Sequence, residues 1–228
     1  MKQSDTAWSY WSKESLSPVN PSYHCGWAFG TPDEPASSIW CASLLEPLRK
    51  TGYLNSEFSA LDFGCGDGRL FNFLSRRYKK FQYFGIEQDN TFGWSCLRSA
   101  SASFGKDSRA CFAAVGSPKA AEAIDKATFV VLGSVATHLK EKELLKCLAP
   151  YQGALRRGAP LVASFFVGKA FSAFSPGIYD NPECYTAVTY TSPMVNDIAR
   201  ALGCGATQEE EFVAKDGHLH RIFLFRKV

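Results

Sequence analysis

The chain lacks several features that would restrict its class. No apolar run reaches membrane-spanning length, and the polar start at residues 1–5 has no apolar core of a signal peptide. No lysine and arginine cluster is long enough to form a nucleic-acid-binding arm, and the net charge is only +3. These absences predict a cytoplasmic protein that binds neither membranes nor nucleic acid.

Signatures of metal sites and disulfides are also missing. The eight cysteines form no C-x-x-C pair, and none groups with the four histidines at zinc-site spacing, so we expect no metal. Several cysteines lie inside apolar segments, which is typical of reduced and buried thiols in a cytoplasmic protein. Cys65 is expected to be a small packing residue rather than a nucleophile.

The hydrophobic pattern predicts an α/β protein. The chain has 228 residues, 46% of them hydrophobic, which is enough for one sizeable core. Near-continuous apolar strands alternate with helical segments, as in a parallel sheet covered on both faces. Strands are predicted at 58–63, 81–86, 110–115, 128–132 and 161–166. Helices are predicted at 37–50, 69–78, 91–103, 118–126 and 141–156, the last of them interrupted or bent at Pro150.

The end of the chain has a different pattern. A helix at 193–202 is expected to stop at Gly203. Segments 209–214 and 219–226 then flank Lys-Asp-Gly at 215–217, which indicates an antiparallel hairpin. His218 and His220 fall at or near that hairpin and are expected to be surface or strand residues.

Two aromatic-rich segments fall outside the regular alternation. Residues 1–35 contain too many aromatics for a disordered tail, so we expect them to pack on the body, as a lid over a ligand or as plain cover. Residues 167–192 form a long connection, which we expect to select the substrate because loops on a rigid scaffold carry specificity. The alternative is that its aromatics simply cover the sheet edge.

The most informative stretch is Asp-Phe-Gly-Cys-Gly-Asp-Gly-Arg at 62–69, between the first strand and its helix. Glycines there permit positive φ and close approach of a ligand, and the N–H groups of the following helix point into the same crevice. The spacing therefore predicts a nucleotide-like cofactor. The third glycine comes one residue earlier than in the G-x-G-x-x-G dinucleotide motif, which disfavours NAD.

The D-x-G-x-G-x-G pattern resembles motif I of the class I S-adenosylmethionine-dependent methyltransferases, of the small-molecule type. Glu87 strengthens the resemblance, because it ends the next strand about twenty residues past the glycines. A carboxylate there accepts hydrogen bonds from ribose hydroxyls. The resemblance covers about residues 37–228. It implies a Rossmann-like, doubly wound sheet of seven strands, mostly parallel, whose antiparallel C-terminal hairpin places the last strand beside the fifth.

The resemblance also implies a role for each matching residue. Asp62 would orient the methionine end of S-adenosylmethionine, Glu87 would hold the ribose, and Gln88 would lie beside the adenine. The glycine loop would supply backbone contacts from Gly64, Cys65 and Gly66. Gly133 and Ser134, after the fourth strand, would line the methionine side.

The sequence departs from the family pattern after the third strand. An acid that often contacts the adenine amino group is replaced by Val-Gly-Ser-Pro at 115–118, so we expect that contact from the Gly116 backbone or the Ser117 hydroxyl. His138 follows the fourth strand closely and is the candidate catalytic base, since a neutral imidazole accepts a proton near pH 7. The alternative is that His138 caps the next helix or packs structurally.

The expected activity is methyl transfer from S-adenosylmethionine to an oxygen or nitrogen of a small-molecule acceptor, with proximity and orientation supplying much of the rate. The fourth strand lacks the Asn-Pro-Pro-Tyr and Pro-Cys sequences of enzymes that methylate nucleic-acid bases. Two alternatives stay open: an RNA or tRNA methyltransferase, and a non-catalytic interaction subunit of the same fold. The intact Asp62, glycines and Glu87 argue against the second alternative. The sequence leaves the acceptor and the oligomeric state open.

Overall fold

The structure, a computed structural model, describes residues 35–89, 91–174, 187–213 and 219–228. The predicted N-terminal lid or cover and the predicted turn at 215–217 lie outside these ranges, apart from Pro35. The described strands are β1 Phe58–Phe63, β2 Phe81–Glu87, β3 Ala110–Ala114, β4 Phe129–Leu132, β5 Leu161–Val167, β6 Ser172–Phe174, β7 Ala187–Tyr190, β8 Cys204–Val213 and β9 Leu219–Lys227. The described helices are α1 Pro35–Lys50, α2 Arg69–Arg77, α3 Thr91–Phe104, α4 Pro118–Lys126, α5 Glu141–Leu148, α6 Gln152–Arg156 and α7 Ser192–Ala201.

The alternating pattern located these elements well. From α1 to β5, and again at α7, the predicted and observed ends agree to within two residues. The helix predicted at 141–156 is interrupted as expected: a 3₁₀ turn at Ala149–Tyr151 separates α5 from α6, because proline has no N–H for the helical ladder. The first hairpin strand, β8, begins at Cys204 rather than at 209, and a bulge at 208–210 disturbs the alternation that would have revealed it.

The sheet has the predicted topology. Strands β3, β2, β1, β4 and β5 lie side by side in that order and are parallel. Strand β9 runs antiparallel beside β5, and β8 pairs with β9. The Rossmann-like fold class is therefore confirmed, with β6 and β7 as additional short strands inside the connection predicted at 167–192. The strand order reverses between β1 and β4, which is where ligands bind in open α/β sheets.

The position of β7 follows from the register of β5. Phe166 of β5 pairs with His220 of β9 and with Thr189 of β7, so these strands lie on opposite edges of β5. Strand β7 therefore shares the edge of β4 and lies beyond its end at Leu132. The Tyr190 hydroxyl of β7 donates to the Leu139 carbonyl. The described ends of the predicted substrate connection thus flank the carboxyl end of β4, while residues 175–186 lie outside the described ranges.

Apolar side chains fill both faces of the sheet. One cluster joins α1, α2 and α3 to the sheet, and the other joins α4 to α7. The six described cysteines are all free thiols, and five of them are buried. Among the helices of the described ranges, none is both long and apolar enough to cross a bilayer.

Candidate functional site

The carboxyl ends of four neighbouring strands bring most of the predicted site residues together. Asp62 lies near the end of β1 and Glu87 ends β2. Gly116 and Ser117 follow β3, and Gly133 and Ser134 follow β4. Because β3, β2, β1 and β4 are adjacent and parallel, these residues share one edge of the sheet.

The glycine loop is held by hydrogen bonds to β2. Gly64 donates its N–H to the Ile86 carbonyl at 2.8 Å, and Gly66 donates to Glu87 Oε1 at 2.8 Å. Gly64 and Gly66 have φ values of 76° and 56°, which disfavour other residues. A Cβ at Gly64 would also lie 2.3 Å from Cγ2 of Val135, so glycine is required there by packing as well. The loop therefore presents bare backbone at the end of β1.

Glu87 is buried and bound to the loop. Its Oε1 accepts the Gly66 N–H, and its Oε2 accepts its neighbour Gln88's N–H at 3.3 Å. Burial raises the pKa of Glu87 to about 7, although these two backbone donors oppose the rise. A carboxylate has about four acceptor positions, so Glu87 keeps acceptor capacity for hydroxyl groups. The carboxyl of Glu87 is therefore fixed by the loop and has room for further donors.

Asp62 is the second buried carboxyl of the site. The Tyr83 hydroxyl donates to Asp62 Oδ2 at 2.6 Å. Burial raises the pKa of Asp62 to about 7, the Tyr83 hydrogen bond lowers it, and the charge of Asp67 raises it. Burial also raises the pKa of Tyr83 well above its usual value, so the phenol stays a donor. Tyr83 was not predicted as a site residue, because nothing in the sequence distinguishes it from a packing tyrosine within β2.

The far end of the loop contains a buried ion pair that was not predicted from the sequence. Asp67 and Arg69 are both buried, with Nη2 of Arg69 3.9 Å from Oδ2 of Asp67. Burial raises the pKa of Asp67, and the guanidinium opposes the rise. Cys65, between the glycines, turns its thiol into the core, where a Cβ at Gly85 would meet Sγ at 2.9 Å. Its backbone is also hydrogen-bonded, because its N–H donates to the Ile86 carbonyl at 3.3 Å and its carbonyl accepts the Gly68 N–H at 3.1 Å.

Ser134, after β4, has an unusual backbone. Its φ of 60° makes it the one non-glycine residue of the described ranges in the left-handed region. Its N–H donates to Ser164 Oγ at 2.8 Å, and its carbonyl accepts the Thr137 hydroxyl at 2.9 Å. Such strain costs on the order of 1–3 kcal/mol and clusters at functional sites. The buried hydroxyls of Thr137 and Ser164, hidden within apolar segments, were not foreseen.

The end of β4 lies against α1. A Cβ at Gly133 would come within 2.8 Å of Cδ2 of Leu44, and the Trp40 ring lies just beyond. The absent side chain therefore lets α1 approach the site. His138 ends a 3₁₀ turn at Ala136–His138, is half-buried, and donates its backbone N–H to the Val135 carbonyl at 3.0 Å. It thus lies close behind the end of β4, as the sequence predicted.

An aromatic cluster lies beside the carboxyl end of β5. His220 of β9 is only 1% exposed, and its ring centroid lies 4.9 Å from that of Trp40 and 4.6 Å from that of Phe166. Trp40 also packs on Phe212 at 5.1 Å. His220 is therefore a strand residue, as one of the two expectations held, but it is buried rather than on the surface. The sequence did not reveal this burial, because it follows from the place of His220 in the sheet.

A cavity of about 540 Å³ opens beside the end of β3, lined in part by Gly116 and Ser117. A Cβ at Gly116 would meet no atom within 4 Å, so the space in front of it is open. Ser117 Oγ accepts the Ala120 N–H at 3.2 Å and caps α4. Over the described ranges, no three His, Cys, Asp or Glu residues are grouped so that they could hold a metal ion.

No protein-family model and no curated protein sequence matches the chain. Solved structures do match it in fold. Magnesium protoporphyrin IX methyltransferase from Synechocystis PCC 6803, with bound S-adenosylhomocysteine, has a TM-score of 0.58 at 13% identity, over 97% of this chain and 93% of its own. The 1,6-didemethyltoxoflavin-N1-methyltransferase of Burkholderia thailandensis, with bound 1,6-didemethyltoxoflavin and S-adenosylhomocysteine, has a TM-score of 0.58 at 19% identity, over 91% and 84%.

An O-methyltransferase from neocarzinostatin biosynthesis, in complex with S-adenosylhomocysteine and 1,4-dihydroxy-2-naphthoic acid, has a TM-score of 0.56 at 14% identity. The match covers 84% of this chain and 57% of that larger protein. At these identities the likeness shows a shared fold. The chain therefore has the fold of the class I methyltransferases, as the sequence predicted.

Proposed function

We propose that this protein is an S-adenosylmethionine-dependent methyltransferase that acts on an oxygen or nitrogen of a small-molecule acceptor. The observation that carries the proposal is the pair of buried carboxyls, Asp62 and Glu87, at adjacent strand ends on either side of a glycine loop. Among the described residues, no ion pair joins either carboxyl to a lysine or arginine. Burial raises the pKa of both carboxyls. Buried acceptors of this kind suit a ligand that supplies hydroxyl and amino donors.

The residues at the strand ends fit the cofactor part by part. Glu87 would accept the ribose hydroxyls and Asp62 would orient the methionine end, while the backbone of Gly64, Cys65 and Gly66 allows close approach. Gln88, Gly116 and Ser117 would border the adenine, beside the open cavity at β3. Gly133 and Ser134 would line the methionine side. S-adenosylmethionine, when bound, supplies an activated methyl group.

The chain's own tasks are then to orient the acceptor, exclude water and hold a proton. His138 would accept the acceptor's proton on an imidazole nitrogen, since it lies just behind the end of β4. The aromatic cluster of Trp40, Phe166 and His220 would form an apolar wall on the acceptor side. Two structures of this fold contain small aromatic molecules, 1,6-didemethyltoxoflavin and 1,4-dihydroxy-2-naphthoic acid, which supports an acceptor of that size.

Calorimetry with S-adenosylhomocysteine tests cofactor binding. We expect binding to the wild-type chain and loss of binding in Gly66→Trp, because the indole would fill the loop where the backbone must meet the ligand. Gly158→Trp is the matched control, since Gly158 also has positive φ but lies exposed in a turn away from the strand ends. A wild-type chain that binds neither S-adenosylmethionine nor S-adenosylhomocysteine would overturn the proposal.

A transfer assay with labelled S-adenosylmethionine tests the acceptor class. We expect label in a panel of small aromatic alcohols and amines, and none in a panel of RNA and tRNA. Label in RNA alone would contradict the small-molecule proposal in favour of the RNA alternative. Binding of the cofactor without transfer to either panel would favour the interaction subunit.

The rate profile of His138→Ala tests the proposed base. We expect the transfer rate to fall by about 10²-fold or more, with loss of the acidic limb that protonation of a histidine base imposes on the pH profile. His138→Gln serves as the second variant, because an amide keeps polarity and size without accepting a proton. An unchanged rate at every pH would show that His138 is not the base.

We further propose a cytoplasmic location, which is supported by the free thiols of the described cysteines. The assignment of residues 1–35 as lid or cover stays a prediction, as does substrate selection by residues 167–192. A chain that begins at residue 36 would separate lid from cover. Loss of a lid raises the KM of the acceptor at unchanged stability, whereas loss of plain cover lowers the melting temperature.

A further inference from the structure

The cavity beside β3 contains an acidic side chain to which the proposed function assigns no role. The cavity opens between α3 and the end of β3, and its lining includes Asp89, Trp94 and Ser117. Asp89 is the only acid among the described lining residues, which also include the cations Arg98 and Lys119. Apolar lining comes from Leu97 and Phe112, so the cavity offers a flat apolar ligand one acidic acceptor.

The register of the strands places Asp89 near Gly116. Glu87 pairs with Ala114, and the Val115 N–H donates to the Glu87 carbonyl at 2.7 Å, so β2 and β3 are still adjacent at their carboxyl ends. Asp89 follows Glu87 by two residues, as Gly116 follows Ala114. Neighbouring strands lie about 5 Å apart. The carboxylate therefore belongs to the same small region as the open face of Gly116.

Trp94 orients the Asp89 side chain. Its indole Nε1 donates to Asp89 Oδ1 at 2.9 Å. This hydrogen bond uses one of about four acceptor positions on the carboxylate. The remaining positions are available to a ligand in the cavity. Trp94 itself is 46% exposed, so its indole is not simply a core residue that happens to meet an acid.

We infer that Asp89 accepts a hydrogen bond from the exocyclic amino group of the cofactor's adenine, with Trp94 as its positioning residue. The inference rests on the proposed function. Ser117 supplies the complementary group: its oxygen already accepts the Ala120 N–H, which leaves its O–H to donate to a purine ring nitrogen. A carboxylate acceptor beside a hydroxyl donor matches the amino group and ring nitrogen of adenine.

The same pair of groups disfavours a 6-oxo purine. Hypoxanthine presents a carbonyl oxygen where adenine has its amino group, so that oxygen would face the Asp89 carboxylate without a proton between them. A site that hydrogen-bonds an N–H group rejects the analogue that lacks it. Charged hydrogen bonds of this kind correspond to at least about a 10-fold preference.

Calorimetric titration of the full chain with S-adenosylhomocysteine and S-inosylhomocysteine tests the inference without any assay of activity. We expect the wild-type chain to bind the adenosyl compound at least about 10-fold more tightly. Asp89→Asn should remove most of this preference, because an amide can donate to the 6-oxo group as well as accept from the amino group. Trp94→Phe should lower the preference less, by about 3-fold, because the carboxylate remains but loses its orienting donor.

Asp125→Asn is the matched control, since Asp125 lies on the exposed face of α4 near Arg157 and is not among the described residues that line this cavity. Its preference should equal that of the wild-type chain. If Asp89→Asn weakens both compounds equally or leaves their ratio unchanged, Asp89 does not read the amino group, while cofactor binding and the proposed function stand. If the wild-type chain binds neither compound, the proposed function fails and this inference fails with it.

Discussion

Two regions at the carboxyl edge of the sheet are equally buried but are held by different forces. The carboxylate half, defined by Asp62, Tyr83, Glu87 and the glycine loop, is organised by hydrogen bonds to buried acids. The aromatic half, defined by Trp40, Phe166, Phe212 and His220, is organised mainly by ring packing. The difference teaches that pH should affect the carboxylate half, which we propose to bind a polar ligand, more than the aromatic half.

The two halves meet at the end of β4. Gly133 lies against α1 of the aromatic half, and Ser134, the next residue, carries the strained backbone. Val135 then packs over Gly64 of the glycine loop. Three consecutive residues therefore connect the two halves, and changes in either half test whether they act independently.

The largest expected effect is in the aromatic half. Trp40→Ala should lower the free energy of unfolding by about 3–5 kcal/mol, because Trp40 is only 4% exposed and packs on Phe212 and His220. Denaturant titration measures this change. Trp94→Ala is the control, with an expected loss below about 1 kcal/mol, since Trp94 is half exposed. Loss of S-adenosylhomocysteine binding in a folded Trp40→Ala chain would contradict the independence of the halves.

The next largest effect is in the carboxylate half. Glu87→Gln should weaken S-adenosylhomocysteine by about 30- to 100-fold, because a neutral amide loses the charge-assisted bonds to the ribose. Its NH₂ group would also face the Gly66 or the Gln88 N–H. Calorimetry measures the affinity, with Glu122→Gln on the exposed face of α4 as the control. An affinity within 3-fold of the wild-type value would remove Glu87 from the site.

The pH dependence should distinguish the halves with a smaller effect. Burial raises the pKa of Asp62 and of Glu87 to about 7, so both are partly protonated at neutral pH in the free protein. Ligand donors require the ionised forms. Because two protons must be lost, affinity for S-adenosylhomocysteine should rise by about 10-fold between pH 6.5 and 7.5, more steeply below that range, and level off above about pH 8. A flat profile from pH 5.5 to 8.5 would contradict the assignment.

The stability of the free protein should change in the opposite direction. Between their ordinary pKa values near 4 and the raised values near 7, the folded chain holds more protons at these two groups than the unfolded chain does. Their stabilising contribution is fully present below about pH 4 and is lost as the pH rises through 7. Tyr83→Phe sharpens the test: without the hydroxyl that lowers the pKa of Asp62, the midpoint of the binding profile should move to higher pH.

The smallest expected effect is at the junction. Ser134→Gly should raise the free energy of unfolding by up to about 1 kcal/mol, because glycine adopts positive φ without strain. Gly133→Ala is the paired change, and it should destabilise because its Cβ would press on Leu44. Denaturant titration measures both. A destabilised Ser134→Gly chain would show that the side chain of Ser134, rather than its backbone, holds the junction.

The local pattern predicted most of the fold because its elements depend on neighbouring residues. Apolar runs such as β4 and β5 are buried on both faces, so each is readable without its partner. The bulge in β8 and the short β6 and β7 were not predicted, because pairing with distant strands creates them. Likewise, the glycine loop and Glu87 were found from spacing alone, whereas Tyr83, Ser164 and the burial of His220 were not.

The sequence by itself determined the order of strands and helices, the glycine loop and the two carboxylates, since each depends on residues that are close along the chain. Only the tertiary structure decided which groups those carboxylates meet. Tyr83 donates to Asp62 from the neighbouring strand, and Ser164 accepts the N–H of Ser134, 30 residues away in the sequence. Asp89 lines the same cavity as Ser117. Such contacts depend on register and on the packing of separate elements, and neither is encoded in a local pattern.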